Sequence, residues 1–463
     1  MVLAAGQNDR GLTAKGRVTR DRIVKVAAEL ILSDGLSALN MDALRKAASV
    51  SGSQLTHYFT DKPELLRAVV ARQIRVVLDF HRQPKLRALD TFDDFERWID
   101  LNLRYLRRIG YSGTPTYHAL TGQLVKSDNA TRETLAAGYW QWVGMLGQAI
   151  GQMKDHGLLL KTADPRRLAL VIVTAHQGGA TLSFAYQQEW PHADAVRFAV
   201  NYLRIFAADP AERVPLPPRR PRGARRSTKP PTTGVKSSTS TSAVRGGNVS
   251  DDTASRLTRK GRATRARIVD VAARLMFQGG VAGTSVDDVR NAATVSGSQI
   301  SHYFDDKRDL TRQVIALRRN DVRDYHTQPQ LGTLDSLESL RAWVDVNMAD
   351  VDSVYRRGGC IYGSLAAELT EGDSDIHDDL AAGYDDWIDL LRAGLTAMRR
   401  RGELRPEADP RHLAVSLVVA HQGGALVTCA TDDPEPLRAA LNAAVDYVGS
   451  FASAPKRRGS RVR

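Results

Sequence analysis

The stretch VSGSQLTHYF, residues 50–59, returns 245 positions later as VSGSQISHYF, residues 295–304. The same offset relates the two halves of the chain along their length, since AHQGGA occupies residues 175–180 and again residues 420–425. A constant register over about two hundred residues indicates duplication of a whole domain, and it excludes a solenoid of short repeats. The 463-residue chain is therefore predicted to contain two copies of one domain.

The composition is that of a soluble globular protein, with 42% hydrophobic and 25% charged residues. The first residues lack the pattern of a signal peptide, and the longest apolar run, LALVIVTA at 168–175, is too short to span a bilayer. Cys360 and Cys429 have no cysteine or histidine at metal-ligand spacing. We therefore expect a cytoplasmic protein with free thiols and with neither a metal nor a cofactor.

The positive charge is concentrated outside the predicted domains. The net charge is +13, but residues 209–254 contain nine Lys/Arg against four Asp/Glu, and residues 455–463 add five Lys/Arg and no acid. Charge alone is therefore a weak indicator of a nucleic-acid partner. Residues 209–254 are rich in Pro, Arg, Ser, Thr and Gly, which predicts a disordered basic linker averaging roughly 40 Å end to end.

The apolar periodicity within each copy is helical. Ile23, Ala27 and Leu30 begin a stripe of an amphipathic helix that the second copy repeats from Ile268, and long helical stretches follow near 62–83, 94–109, 129–156, 164–188 and 192–207. No alternating strand pattern interrupts them. Gly35 and Gly280 stand where a helix end requires a positive φ. The predicted fold class is all-α.

The quoted stretch fits the second helix of a helix-turn-helix unit. Ser51 is suited to cap that helix, and Gln54 lies at the capping-box position. The outward side chains would be small and polar, which suits a helix tip that enters the major groove of DNA. Gln54 and Gln299 would then pair with adenine; the alternative is that Gln54 only completes the capping box. Tyr58 and Lys62 suit phosphate contacts.

Each half resembles a transcriptional regulator of the TetR/AcrR type. The resemblance is carried by KGRVTRDRIVKVAAEL at 15–30 and LNMDALRKAASVSGSQLTHYFTDKPELL at 39–66, and by their counterparts at 260–275 and 284–310. It implies two tandem all-α units, each with an N-terminal three-helix DNA-binding domain and a C-terminal helical bundle for ligand binding and dimerisation.

The resemblance also implies a set of DNA-binding residues. In the first copy these are Asn40, Ser51, Gly52, Ser53, Gln54, Thr56, His57, Tyr58 and Lys62, and in the second Ser285, Ser296, Gly297, Ser298, Gln299, Ser301, His302, Tyr303 and Lys307. The turn carries Ser49 and Thr294 where the family usually has glycine, which predicts a strained turn. Thr56 and Ser301 occupy a position that is often tyrosine in the family, which predicts an altered base preference.

The predicted division of the chain has seven segments. These are a disordered arm at 1–14, DNA-binding domains at 15–75 and 255–320, regulatory helical domains at 76–208 and 321–453, the linker at 209–254 and a basic tail at 454–463.

One chain supplies both DNA readers, which are the helix-turn-helix units that contain residues 50–59 and 295–304. We therefore expect a single-chain pseudo-dimer on near-palindromic half-sites of double-stranded DNA. Paired glycines inside apolar helices suggest close backbone approach where the copies meet. The predicted interface residues are His176, Gln177, Gly178, Gly179, His421, Gln422, Gly423 and Gly424. The alternative for His176 and His421 is a ligand pocket, and a dimer of tandem chains also remains open.

The resemblance implies a small-molecule effector, bound in each bundle. The pocket candidates are Tyr117, His118, Trp140, Cys360, Tyr362 and Trp387. The copies diverge here, because Pro115, His118 and Thr121 correspond to Cys360, Gly363 and Ala366. We therefore expect two different pockets, of which only one binds the effector.

Two other classes of function are considered. An enzyme is not expected, because no activated nucleophile, paired carboxylates or phosphate-binding loop is present in the sequence. An interaction protein, in which one or both readers no longer bind DNA, is the alternative to a repressor that is released by its effector. The sequence leaves repression or activation open.

Overall fold

The structure, a computed structural model, describes residues 12–34, 36, 39–110, 117–215, 257–369 and 374–453. The predicted arm up to residue 11, most of the linker, the basic tail and Gly35 lie outside these residues. Within them the fold is all-α, as predicted, and the β interactions are two isolated bridges, Leu159 with Ala207 and Leu404 with Ala452.

Each copy contributes nine principal helices in the same order. The first copy has α1 (Ala14–Asp34), α2 (Met41–Ala47), α3 (Gly52–Tyr58), α4 (Lys62–His81), α5 (Phe92–Ile109), α6 (Tyr117–Leu124), α7 (Asn129–Asp155), α8 (Pro165–Tyr186) and α9 (Trp190–Ile205). The second has α10 (Arg259–Gly279), α11 (Val286–Ala292), α12 (Gly297–Tyr303), α13 (Lys307–His326), α14 (Leu337–Ala349), α15 (Gly363–Glu368), α16 (Ser374–Arg400), α17 (Pro410–Thr431) and α18 (Glu435–Gly449). A π-helical turn, Val351–Tyr355, and a helical turn, Arg356–Gly358, follow α14.

The structure contains short helices that the sequence did not predict. Apolar periodicity did not predict α6 and α15, because nearly every residue of these short helices is buried and no polar face marks them. A 3₁₀ helix, Pro210–Arg213, lies in the first residues of the predicted linker. Arg204 holds this turn to the first copy through an ion pair with Glu212.

The helix-turn-helix units form around capped helices and a small apolar core. Asn40 caps α2 by accepting from the Ala43 amide, and Ser51 caps α3. Leu44, Leu55 and Phe59 are buried in the same apolar core as Ile23 and Ala27 of α1. Burial of this apolar face, rather than intrinsic propensity, stabilises helices of only seven residues. The polar face of α3 is consequently left on the surface.

The turn between the two short helices has the same backbone conformation in both copies. Ser49 has a φ of 50° and Thr294 a φ of 52°, in the left-handed region that favours glycine. The predicted strain of this turn is therefore present in both copies, and it is greater at Thr294, whose side chain branches at Cβ.

Glycine is expected to relieve this strain. Replacing Thr294 with glycine should stabilise the second DNA-binding domain by about 1 kcal/mol in urea denaturation, and the Ser49→Gly change should give a smaller gain. Thr264→Gly, within α10, is the control and should destabilise by about 0.5–1 kcal/mol. Equal losses at positions 264 and 294 would show that the turn is unstrained.

The two copies contact each other through their longest apolar helices. α8 packs against α17, and α9 and α18 flank them. A Cβ at Gly178 would overlap the Val419 carbonyl oxygen, and one at Gly423 would overlap the Thr174 carbonyl oxygen. The neighbouring Gly179 instead approaches Ala195 of its own copy. One glycine of each pair therefore permits the crossing between copies, and the other permits packing within a copy.

Polar and aromatic contacts surround this crossing. Tyr186 donates to Asp385 at 2.7 Å, and Asn201 donates to the Tyr447 hydroxyl at 3.2 Å. The guanidinium carbon of Arg411 lies 4.4 Å from the centre of the Trp190 ring. α8 and α17 are long and apolar enough to cross a membrane, but 94% and 100% of their most apolar windows are buried inside the protein. Their contact with each other and with neighbouring helices accounts for that composition.

A second contact between the copies reaches the N-terminal helices of the second copy. The Lys126 ammonium, which follows α6, lies 2.5 Å from the Glu368 carboxylate at the end of α15 and donates to the Met276 carbonyl of α10 at 3.1 Å. Glu368 also accepts from the amide of Val281, at 2.5 Å. The first copy is thereby attached directly to the N-terminal helices of the second, which belong to its predicted DNA-binding domain.

Candidate nucleic-acid interface and cavities

The N-terminal ends of α3 and α12 present matching polar surfaces. Ser53, Gln54, Thr56 and His57 are all exposed, and their counterparts in the second copy are exposed as well; these are Ser298, Gln299, Ser301 and His302. Ser51, Gly52, Ser296 and Gly297 are exposed at the start of the two helices. Each surface therefore offers small hydrogen-bonding groups without a bulky residue to block approach to base edges.

The capping box that was the alternative role of Gln54 is formed in both copies. The Ser51 amide donates to Gln54 Oε1 at 2.9 Å, and the Gln54 amide donates to Ser51 Oγ at 3.1 Å. Ser296 and Gln299 make the same pair of bonds. The box uses the side-chain oxygen of each glutamine, and the NH₂ group takes no part in it. Capping and base contact by the NH₂ group are therefore compatible.

The candidate phosphate-binding residues are partly engaged by the fold. Lys62 Nζ donates to the Leu39 carbonyl at 2.6 Å, and Tyr58 is only 8% exposed. In the second copy Tyr303 and Lys307 are half-buried, and burial lowers the pKa of Lys307. A phosphate contact by Lys62 would require its ammonium to leave the Leu39 carbonyl.

A cavity of about 90 Å³ lies inside the helical bundle of the first copy. Five of its lining residues come from α4, which begins at the helix-turn-helix unit: Gln73, Val76, Val77, Phe80 and His81. The others are Asn102, Tyr105, Leu106, Ile109, Tyr117, His118, Trp142, His176, Gln177, Ala180, Phe184 and His192. One helix thus joins the cavity to the DNA-reading unit.

The wall of this cavity carries no charge at neutral pH. Burial lowers the pKa of His81 and of His118 to about 4 and that of His192 to about 3. It holds the pKa of His176 well below its usual value. No Asp, Glu, Lys or Arg belongs to the lining. An ionised ligand would lose its hydration without gaining a counter-charge, so the cavity favours a neutral ligand.

The second copy has a different cavity at the corresponding place. Its volume is about 130 Å³, and its lining is formed by Val322, Tyr325, His326, Asp350, Val354, Tyr355, Cys360, Ile361, Trp387 and His421. A carboxylate, Asp350, takes the place of Tyr105 in the first copy. Trp387 Nε1 is buried without a hydrogen-bond partner, whereas Trp142 Nε1 donates to His81.

The predicted pocket and interface residues lie at different places in the structure, some in the first cavity, some in the second and some in neither. Tyr117 and His118 line the first cavity, and Cys360 and Trp387 line the second. Trp140 and Tyr362 lie outside both linings: the Trp140 ring stacks with Arg166, and the Tyr362 hydroxyl donates to the Leu380 carbonyl. Of the predicted interface residues, His176 and Gln177 line the first cavity and His421 lines the second, while Gln422 accepts a hydrogen bond from Tyr384.

Sequence reasoning did not identify the contribution of α4 or of Asn102. A usable signal was present, because His81 and Asn102 are polar residues on the apolar faces of amphipathic helices and recur in register as His326 and Asn347. The described part of the chain contains no group of three or more His, Cys, Asp or Glu side chains placed to hold a metal ion.

Comparison with known proteins identifies the N-terminal segments of both copies. A family model described as bacterial regulatory proteins, tetR family, matches residues 23–69 and 268–314. A second model, described as Tetracyclin repressor-like, C-terminal domain, matches residues 336–444. The matched N-terminal segments contain α2, α3, α11 and α12.

Curated relatives match less than half of the chain. An uncharacterized HTH-type transcriptional regulator of Lactococcus lactis subsp. lactis is 25% identical over 179 residues, which are 37% of this chain and 86% of the relative. The HTH-type transcriptional repressor DhaR of Mycobacterium sp. (strain GP1) is 21% identical over 174 residues, again 37% and 86%.

Solved structures with similar folds also cover less than half of the chain. A regulatory protein TetR from Rhodobacter sphaeroides is 21% identical and covers 40% of this chain and 98% of its own, with a TM-score of 0.37. A TetR transcriptional regulator from Chloroflexus aurantiacus J-10-FL is 25% identical and covers 42% and 98%, with a TM-score of 0.38.

Proposed function

Since the chain is a TetR-type regulator with two tandem N-terminal units, we propose that it binds DNA as a single-chain pseudo-dimer. The recognition helices are α3 and α12, and each reads one half of a near-palindromic operator in successive major grooves, which lie about 34–36 Å apart for one helical turn. The observation that carries the proposal is that the N-terminal ends of α3 and α12, called the tips here, are exposed and carry matching polar side chains. The copies to which they belong contact each other through α8 and α17.

The proposed DNA contacts follow the exposed surface. The tips supply Ser53, Gln54, Thr56 and His57 to base edges, with the matching residues of α12. The cap residues Asn40 and Ser285, together with Tyr58, Lys62, Tyr303 and Lys307, supply contacts to phosphates. Phosphate contacts set the position on the duplex, whereas base contacts set the sequence preference.

We further propose that the protein is a cytoplasmic repressor that a small-molecule effector releases from its operator. The support is α4, whose first residue, Lys62, adjoins the recognition helix and whose last two turns line the first cavity. A ligand that holds α4 in a different position changes the separation of the two readers. The protein is released from DNA because the effector binds more tightly when α4 is in the second position than when it is in the first.

Charge differences favour a second candidate function, an interaction protein with one active reader. Ala43, Lys46 and Thr60 of the first unit are replaced by Asp288, Asn291 and Asp305 in the second. The second unit is therefore less positive near its reading surface, and it attracts phosphate less strongly. In this alternative only the first reader binds DNA.

Substitution of the two glutamines separates these candidates. Gln54→Ala and Gln299→Ala should each weaken operator binding by about 1–3 kcal/mol if both contact adenine. The operator is first selected from a random pool of duplexes, and affinity is measured by fluorescence anisotropy at one fixed salt concentration.

Glutamate variants control for the lost cap. Gln54→Glu and Gln299→Glu keep a residue that completes the capping box, so helix stability is retained while the NH₂ donor is removed. Loss of binding from the Gln54 changes alone would establish the second candidate function. Light scattering on the eluted protein, with and without operator, tests for a further dimer of tandem chains.

A further inference from the structure

Both copies contain the same pair of polar side chains, one asparagine and one histidine, inside the helical bundle. In the first copy His176 Nε2 lies 3.2 Å from Asn102 Oδ1, and in the second His421 Nε2 lies 2.9 Å from Asn347 Oδ1. Each asparagine donates its amide to the carbonyl of a tryptophan one turn earlier, which fixes the orientation of its oxygen. The two pairs are therefore equivalent hydrogen-bonding sites.

In the second copy a tyrosine of the chain itself occupies this site. The Tyr355 hydroxyl donates to Asn347 Oδ1 at 2.6 Å and lies 2.9 Å from His421 Nε2, from which it accepts. The π-helical turn at the end of α14 carries this tyrosine to the pair. Asn347 is fully buried and does not line the second cavity.

In the first copy the corresponding residue has no side chain. Position 110, in register with 355, is glycine, and among the described residues no atom beyond its chain neighbours lies within 4 Å of where its Cβ would be. Asn102 and His176 both line the cavity there. Among the described residues, no hydroxyl takes the place of Tyr355 at this pair, which leaves the hydrogen-bonding site of the first copy open to a ligand.

We propose that the cavity of the first copy binds a small neutral phenol in the way the second copy holds the phenol ring of Tyr355. The ligand hydroxyl donates to Asn102 Oδ1 and accepts from His176 Nε2, and its ring lies among Val77, Phe80 and the other apolar lining residues. The phenol would be the effector of the proposed function. Only its regulatory role rests on that function.

Size and charge agree with this class of ligand. A cavity of about 90 Å³ is small beside the roughly 300–1,000 Å³ of typical drug-sized sites, and it is nearer to cavities that hold one aromatic ring. The lining histidines are uncharged, and burial would also keep a phenol protonated, as it raises the pKa of Tyr355 well above its usual value.

Two polar residues of the first cavity have no polar counterpart in the second copy. His118 and His192, which line the first cavity, correspond to Gly363 and Leu437 in the second. His192 Nδ1 is buried without a hydrogen-bond partner, so a second polar group on the ligand would find an unused partner there.

The probe for this site is p-cresol, which is the side chain of tyrosine as a free molecule. Isothermal titration of the full chain should give one site per chain that prefers p-cresol to toluene by about 10-fold, the factor expected because toluene cannot form the hydrogen bonds that the cresol hydroxyl makes to the pair. Equal affinities for p-cresol and toluene would overturn the proposal.

Matched variants use the duplication as an internal control. Asn102→Leu should remove the preference for p-cresol, and Asn347→Leu should leave it unchanged. Tyr355→Ala should create a second site that prefers p-cresol, whereas Tyr355→Phe, which keeps the ring in place, should not. If Asn102→Leu fails to fold, the Tyr355 variants decide the question. A Tyr355→Ala protein that still has one such site contradicts the inference.

Operator binding is measured separately on the same proteins. Retained p-cresol binding in a chain that binds no DNA sequence would reject the proposed function and keep the ligand site. Retained operator binding without a preference for p-cresol would reject the ligand site alone.

Discussion

Replacing Lys126 with methionine is expected to destabilise the protein by about 3–5 kcal/mol, because it leaves the Glu368 carboxylate buried without its cation. The two side chains are only 5% and 7% exposed, and their charged atoms lie 2.5 Å apart. Glu368 would keep a single backbone donor, the Val281 amide. Urea denaturation, followed by tryptophan fluorescence and by circular dichroism, measures the loss.

The double substitution Lys126→Met with Glu368→Gln tests whether the buried charge is the cause. Because it removes both charges, it should recover much of the stability that Lys126→Met loses. Arg274→Met, which breaks an exposed pair with Asp270, is the surface control and should cost less than about 1 kcal/mol. Equal effects of Lys126→Met and Arg274→Met would show that the pair is hydrated in solution.

This ion pair makes the two halves of the protein unequal. By register, Lys126 corresponds to Glu371 and Glu368 to Gln123, so the sequence provides no second pair of the same kind. The Lys126 ammonium also lies 5.5 Å from the centre of the Phe277 ring in α10. Among the described residues, only the second DNA-binding domain is held to the opposite copy by such a pair.

Replacing Gly423 with alanine is expected to destabilise the contact between the copies by about 3 kcal/mol, near the upper end of the usual cost of overpacking. The added Cβ would overlap the Thr174 carbonyl oxygen and approach the Gly178 amide, and backbone atoms cannot move aside as a flexible side chain does. The expected loss appears as a lower urea midpoint and as a larger distance between the halves in small-angle scattering.

The control for this prediction is a glycine of the same chain with open space around it. Gly144 and Gly151 lie in α7, and among the described residues no atom outside the local helix backbone is within 4 Å of a Cβ at either position. Alanine there should stabilise the helix by about 0.5–1 kcal/mol. An alanine at position 423 that is as harmless as one at position 144 would show that α8 and α17 are further apart in solution.

Periodic and local features of this chain could be predicted from the sequence. The apolar stripe from Ile23, the capping pair Ser51 and Gln54, and the non-glycine turn at Ser49 depend on residues within one helix or one turn. Local physical chemistry determines them, and the structure contains each of them. The duplicated register then extended these predictions to the second copy.

Features that depend on a distant partner could not be predicted in the same way. The hydrogen bond of Lys62 to Leu39 and the contact of Lys126 with Glu368 join residues that are separated in sequence by 23 and 242 positions. The adjacent residues Gly178 and Gly179 look alike in sequence, and only the positions of α17 and α9 distinguish them. Tyr355 reaches the Asn347 pair through a π-helical turn, which apolar periodicity does not reveal.

If the first copy binds the effector as proposed above, the tyrosine that fills the second polar pair also determines how the protein responds to effector concentration. In a homodimer of identical chains every substitution is present in both subunits, so both effector sites are kept or both are lost. In the fused chain, one copy keeps the Tyr355 ring in its site while the other copy is free to bind the effector. With a single responsive site on each operator-bound unit, occupancy follows a simple hyperbola with a Hill coefficient of about one, and the output is graded rather than switch-like.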